Sequence, residues 1–226
     1  MPELPEWFRD VAEYMLREGL PNTLRIAAFA LTASLVVGIV FGTLITIRFM
    51  PLQALIRLYI EVWRGLPILV TVLFIYWSAT ADVGGFRFEL SAYMSVAIGL
   101  SLWGSAQVAE ATRGAVQSIP REQHEAAAAL GFGWVGRHAF VILPQAFRRL
   151  LPPMVGLLVN IIQNTTIAFV IGVSEILETA NRQFENLSLA GDGHPFAIFG
   201  FVLLLFFLIS FPLTRLAAFL ERRLVG

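Results

Sequence analysis

Residues 193–214 read GHPFAIFGFVLLLFFLISFPLT, a run without a single Asp, Glu, Lys or Arg. At the rise of an α-helix it spans about 33 Å, enough to cross roughly 30 Å of hydrocarbon. The stretches 26–47, 65–81, 90–109 and 150–174 are free of charge over comparable lengths. With 226 residues, 57% hydrophobic and 14% charged, and a mean hydropathy of +0.73, the chain is too apolar for a water-soluble domain of its size. The expectation is an all-α membrane protein, one transmembrane domain over 1–226, with five spans at about 22–47, 62–81, 90–112, 151–174 and 193–216. The spans use nearly half the chain and leave no room for a separate soluble catalytic domain, so any energy source has to come from a partner.

Charge sets the expected orientation. All 16 basic residues are Arg, against 16 acids. With five spans the loops alternate sides, and Arg divides 5 on the amino-terminal side against 11 on the other. Positive charge is retained on the cytoplasmic side, which puts the carboxyl terminus inside and the amino terminus outside. The first 21 residues carry Glu3, Glu6, Asp10, Glu13 and Glu18 and lack a basic start followed by an apolar stretch, so no cleavable signal is read there. Cysteine is absent, and His124, His138 and His194 show no metal-ligand spacing.

Trp7, Val11, Tyr14 and Met15 recur at helical spacing among charges, as in an amphipathic helix lying on the outer membrane surface. Gly38 and Gly42 stand four apart in the first span and invite close approach of another helix. Glu61 and Arg64 are one turn apart, with Gly65 and Pro67 loosening the helix beyond them. Gly84 and Gly85 build an outward turn at 82–89. The longest polar segment, 110–149, falls on the cytoplasmic side. Within it Arg121–Leu130 is a strong helix former, stopped by Gly131 and Gly133. Pro144, Pro152 and Pro153 then interrupt the chain, so the fourth span begins near Leu151. That span holds Asn160, Gln163, Asn164, Thr165 and Thr166, and amides in hydrocarbon need a bundle or a hydrated cavity to face.

The order Glu125-Ala126-Ala127, three residues, Gly131, nine residues, Val141, one residue, Leu143-Pro144 resembles the EAA loop of the membrane subunits of bacterial ABC importers, with Val141 where the pattern has Ile. Three other stretches resemble the polar amino-acid permeases of the histidine/glutamine/glutamate type: Tyr59-Ile-Glu-Val-Trp-Arg-Gly-Leu-Pro67, Ala109-Glu-Ala-Thr-Arg-Gly-Ala-Val-Gln-Ser-Ile-Pro120 and Asn164-Thr-Thr-Ile-Ala-Phe-Val-Ile-Gly172. The resemblance implies a type I importer permease with a short cytoplasmic coupling helix in a loop at about 118–149, in which Glu125, Ala126, Ala127, Gly131, Leu143 and Pro144 meet the ATPase. It also implies a second permease chain, identical or paralogous, two ATP-binding subunits and an amino-acid-binding protein. No cofactor is expected on this chain, ATP and Mg belonging to the partner, and the location implied is the bacterial inner membrane.

The substrate pathway expected from these residues is Arg64, Asn160, Gln163, Asn164, Thr165 and Thr166. Arg64 has two readings, a headgroup anchor paired with Glu61 or a partner for a substrate carboxylate. By resemblance, carriers of basic amino acids have an acid where this chain has Asn164, so a neutral or acidic polar amino acid is the expected cargo. Glu110 and Arg113, three apart, read as an intrahelical pair. Two other classes compete. A channel or structural subunit would leave the Ala-rich cytoplasmic helix unexplained. An intramembrane hydrolase would need a serine facing a histidine base, whereas the three histidines fall in loops or at a span edge.

Overall fold

A computed structural model describes residues 5–47, 49–80, 89–191 and 193–224. Among these every regular element is helical: α1 (Glu6–Tyr14), α2 (Leu20–Leu44), α3 (Met50–Gly65), α4 (Ile68–Thr80), α5 (Ala92–Gln117), α6 (Arg121–Ala129), α7 (Trp134–Arg137), α8 (Leu143–Asn164), α9 (Ile176–Leu189) and α10 (Pro195–Leu224). Wide π turns at Met15–Gly19 and His138–Ile142 carry α1 into α2 and α7 into α8, and a tight 3-10 turn, Thr165–Ile171, prolongs α8. The expected turn at 82–89 lies outside the described residues apart from Glu89.

Three helical runs are long and apolar enough to cross a membrane: Glu6–Leu44, Trp134–Ile171 and Pro195–Leu224. Met50–Gly65 with Ile68–Ala79 makes a fourth if that pair, bent by 102°, counts as one span. The expected five are not reached on length and composition, for two reasons. Helix α4 has only 13 residues, about 20 Å, too short to cross alone. Leu66 before it is extended at φ −82° and ψ 138°, because Pro67 excludes its predecessor from the helical region. Helix α5 has 26 residues, but Ser95, Ser101, Ser105 and Gln107 dilute its apolar stretch.

The chain forms two compact units. The first comprises 1–31, 67–101 and 159–212, the second 32–66, 102–158 and 213–226. In the first, Val11, Met15, Ile176, Ala180, Ile198 and Val202 form a buried core. This corrects the reading of the amino-terminal helix. Its apolar face, with Val11 1% and Met15 0% exposed, packs on protein, not on the membrane surface, and a π turn makes it continuous with α2. Asn22 Nδ2 donates to the Ser174 carbonyl at 2.8 Å, and Thr23 Oγ1 accepts from the Ile176 N–H at 3.2 Å, fastening the start of α9 to α2.

In the second unit Ile45, Ile56, Ile60 and Ala109 are the buried core. Tyr59 donates to Ser105 Oγ at 2.6 Å, because the Ser105 hydroxyl proton is already given to the Leu102 carbonyl at 2.9 Å. Gly38 and Gly42 lie against α5, as their spacing predicts. A Cβ on Gly42 would sit 2.5 Å from Thr112 Cβ, and one on Gly38 2.7 Å from the Ser105 carbonyl oxygen. The expected start of the fourth span near Leu151 is too late. Helix α8 begins at Leu143 and keeps Pro152 and Pro153 inside it. A proline at those positions frees only the carbonyls four residues back, those of Arg148 and Arg149, while the ring's fixed φ still suits a helix.

Candidate functional site

Helix α6 is built to be presented. Pro120 precedes it with φ −53° and ψ 142°, Glu122 stands in its first turn, and Arg121 Nε donates to Glu125 Oε1 at 2.8 Å one turn on. Its end is a left-handed stop. Gly131 has φ +85°, its N–H donates to the Ala128 carbonyl at 3.0 Å, and the Phe132 N–H reaches back to the Ala127 carbonyl at 3.1 Å. Those two bonds satisfy carbonyls that the last turn would otherwise leave bare.

Of the expected coupling residues, Glu125, Ala126 and Gly131 are exposed, together with Ala128, Ala129 and Leu130. Ala127 is not among them, being 2% exposed and turned into its own unit. Leu143 is half-buried and Pro144 exposed at the start of α8. Two side-chain bridges tie this region together: Gln145 Nε2 donates to Gln123 Oε1 at 3.3 Å, and Arg149 donates to the Ser118 carbonyl at 2.7 Å. The first of these joins α6 to α8, and the second joins the turn before α6 to α8.

The amide face lies at the far end of α8, in the first unit. Asn160 and Gln163 are exposed and Asn164 half-exposed, as the i, i+3, i+4 spacing predicts. Asn164 Nδ2 donates to the Asn160 carbonyl at 2.8 Å, which leaves its second N–H and its side-chain oxygen for other partners. Thr165 lies off this face, 0% exposed, with its hydroxyl donated to the Ile162 carbonyl at 2.7 Å. Thr166 is spent similarly on the Gln163 carbonyl at 2.8 Å. The tight turn that follows closes at Gly172, φ +72°.

Arg64 belongs to the second unit, where it lines a cavity of about 280 Å³ with Arg57, Glu61, Glu110 and Arg113. Arg113 Nε donates to Glu110 Oε2 at 3.0 Å, the intrahelical pair expected from the sequence. The cavity then holds three guanidiniums against two carboxylates, an excess of one positive charge suited to a single carboxylate ligand.

Sequence reading missed helix α9 and its cap. Glu175 is 0% exposed and accepts from the Leu177 N–H at 2.9 Å and the Glu178 N–H at 2.8 Å. Burial pushes its carboxyl up to about 7 against the lowering effect of those two bonds, with Glu178 adding to the rise. The signal was present in Ile176, Ala180, Phe184 and Leu187, an apolar stripe at helical spacing behind an acidic cap.

Residues 10–226 match the binding-protein-dependent transport system inner membrane components. The chain belongs to that family. It is 31% identical over 208 residues to the probable glutamine ABC transporter permease protein GlnP of Bacillus subtilis, covering 92% of this chain and 93% of the relative. It is 33% identical to the glutamine transport system permease protein GlnP of Escherichia coli K12, covering 93% of each. Among solved structures it superposes on a chain of an amino acid ABC transporter crystallised with histidines, TM-score 0.82 and 25% identity, over 98% of this chain and 100% of the other. An inward-facing MetNI methionine ABC transporter superposes with TM-score 0.77 at 16% identity, which speaks to the fold alone. This inner membrane component therefore has the all-helical type I importer permease fold and is a transport subunit.

Proposed function

We propose that the chain is the permease subunit of an ATP-driven importer that moves a polar amino acid, neutral or acidic, into the cytoplasm by alternating access. Five spans serve this reading if the bent α3–α4 pair is one and α5 another. The Arg distribution then sets the amino terminus outside and α6 inside. A second permease chain completes the pathway, two ATPase subunits bind ATP and Mg, and an amino-acid-binding protein delivers cargo from outside; this chain performs no catalysis of its own. The observation that carries the proposal is α6 itself, a helix with a small-residue exposed side, a hard stop at Gly131 and bridges to α8. An ATPase that closes on ATP can move membrane helices only through such a docked, rigid element.

The test is purification of the tagged chain from cells that express its operon neighbours. An ATPase that copurifies, and whose hydrolysis rises with binding protein and cargo, meets the expectation; a chain that purifies without one, or with hydrolysis indifferent to cargo, contradicts it. Docking at α6 also settles the side on which that helix lies.

Substrate class rests on Asn164. A carboxylate there would repel an anionic cargo in a cavity of low dielectric. Asn164→Asp is expected to depress uptake of an acidic amino acid about tenfold or more, and of a neutral one much less, as one charge repulsion at an effective ε near 20 amounts to about 2 kcal/mol or more. Competition uptake assays in proteoliposomes measure the ratio, and equal losses for both cargoes would place the substrate elsewhere.

A further inference from the structure

A cavity of about 780 Å³ in the second unit lies beside α6 and is lined by Thr46, Arg121, His124, Glu125, Arg137 and His138, with Gln53 and Gln117 from α3 and α5. Its charges do not balance internally. Glu125 is occupied by Arg121 at 2.8 Å. The guanidinium Nε of Arg137 is buried and, among the described residues, has no hydrogen-bond partner. A buried cationic donor without an acceptor is costly unless a ligand supplies one.

The proton inventory around His138 points the same way. Its Nδ1 lies 2.9 Å from the Trp134 carbonyl, an acceptor only, so Nδ1 carries a proton. The hydroxyl proton of Thr46 is given to the Thr43 carbonyl at 2.6 Å. His138 Nε2 lies 3.4 Å from Thr46 Oγ1, and with both other protons committed this contact is a hydrogen bond only when Nε2 is protonated as well. Yet His138 is 4% exposed and has His124 at 6.1 Å between ring centroids, with Arg137 on the same wall. Burial and the Arg137 charge hold the imidazole of His124 below its ordinary value. Beyond the Arg121–Glu125 pair, Arg137 is the charge left in the cavity lining, and no carboxylate of that lining is left to meet it.

We propose that this cavity is a phosphate-group site, in which Arg137 Nε and the His124 ring hold an oxyanion against the inner wall of the α6 segment, with His138 behind them bonded to Trp134 and Thr46. The ligand chemistry is a phosphate, free in solution or on a lipid headgroup. Binding takes up protons on His124 and His138, so occupancy rises as pH falls through the histidine range. The other charged groups facing the pair are Arg121, Glu125 and Arg137. A bound phosphate would brace α6 against α7 and so stiffen the segment that carries movement to α8. The site goes beyond the transport reading and does not depend on the cargo.

The experiment uses the assembled importer in nanodiscs of phosphatidylcholine. Inorganic phosphate is titrated at about pH 6 and about pH 8, with thermal stability as readout, and a parallel arm replaces part of the lipid by phosphatidylglycerol and reads retained lipid by native mass spectrometry. Saturable stabilisation by phosphate, stronger at the lower pH, identifies a soluble ligand, and selective retention of phosphatidylglycerol identifies a headgroup. In either case Arg137→Gln is expected to weaken binding about tenfold or more, the loss of one charge-assisted bond. His138→Phe keeps the ring stacked on Trp134, whose centroid lies 4.1 Å away, and is expected to weaken the pH dependence, leaving the part that belongs to His124. His124→Gln serves the same purpose if that variant folds poorly. Binding of neither probe, or binding indifferent to Arg137→Gln, overturns the proposal. It falls as well if neither probe binds and Arg137→Gln instead loosens the ATPase, since a protein carboxylate would then own the cavity.

Discussion

Gly42→Leu is expected to yield a chain that inserts but does not hold its second unit together. The Cβ of any residue at 42 would meet the Ala109 carbonyl oxygen and the Thr112 side chain, and backbone cannot give way as a flexible side chain can. Helices in lipid gain little from the hydrophobic effect between themselves and rely on van der Waals contact at such small-residue seams, so prising α2 from α5 removes much of what joins them. Overpacking costs about 1 to 3 kcal/mol in ordinary cores, and a clash with backbone belongs at or above the upper end. The measurement is thermal unfolding and monodispersity in detergent. Gly200→Leu is the control, because nothing lies within 4 Å of a Cβ there. Equal behaviour of the two variants would mean that the seam is not tight.

The second large effect separates two neighbouring alanines. Ala126→Trp should leave the thermal stability of the chain unchanged while the ATPase is lost on purification and uptake falls, because Ala126 is exposed and only a docked partner would be overpacked. A cost of about 1 to 3 kcal/mol there weakens association roughly tenfold or more. Ala127→Trp should instead damage the chain itself, since that residue is 2% exposed. Gly131→Leu adds a third case. Nothing obstructs a side chain at 131, but the left-handed backbone at φ +85° costs an L residue about 1 to 2 kcal/mol, so the helix stop frays without a clash. If Ala126→Trp and Gly131→Leu both retain ATPase and uptake, α6 is not the coupling element.

Much of this was legible because the decisive features are local. The glycine stop at 131 and the i, i+4 glycines of α2 are each written within one or two helical turns, and the structure places them as their spacing implies. What was misread depended on distant partners. The amphipathic face of α1 looks the same whether it meets lipid or protein, and only the arrival of Ile176 and Ile198 decides the matter. Ala127 and Ala126 are identical in sequence terms, and which of them is turned inward follows from how α6 seats on its own unit. The prolines of α8 read as breaks on intrinsic propensity alone, whereas the helix carries Pro152 and Pro153 inside it. The cap at Glu175 was passed over because a short polar stretch between apolar runs reads first as a loop.

The two units have a consequence for how the chain is made. Neither is a continuous segment: the first comprises 1–31, 67–101 and 159–212, and the second 32–66, 102–158 and 213–226. Synthesis runs from the amino terminus, and ordinary domains finish in the order in which they emerge. Here the amino-terminal helix must wait for Ile176, Ala180, Ile198 and Val202, which leave the ribosome far later. Truncation before α9 therefore removes more than the end of the chain; it leaves Val11 and Met15 without the residues they are buried against.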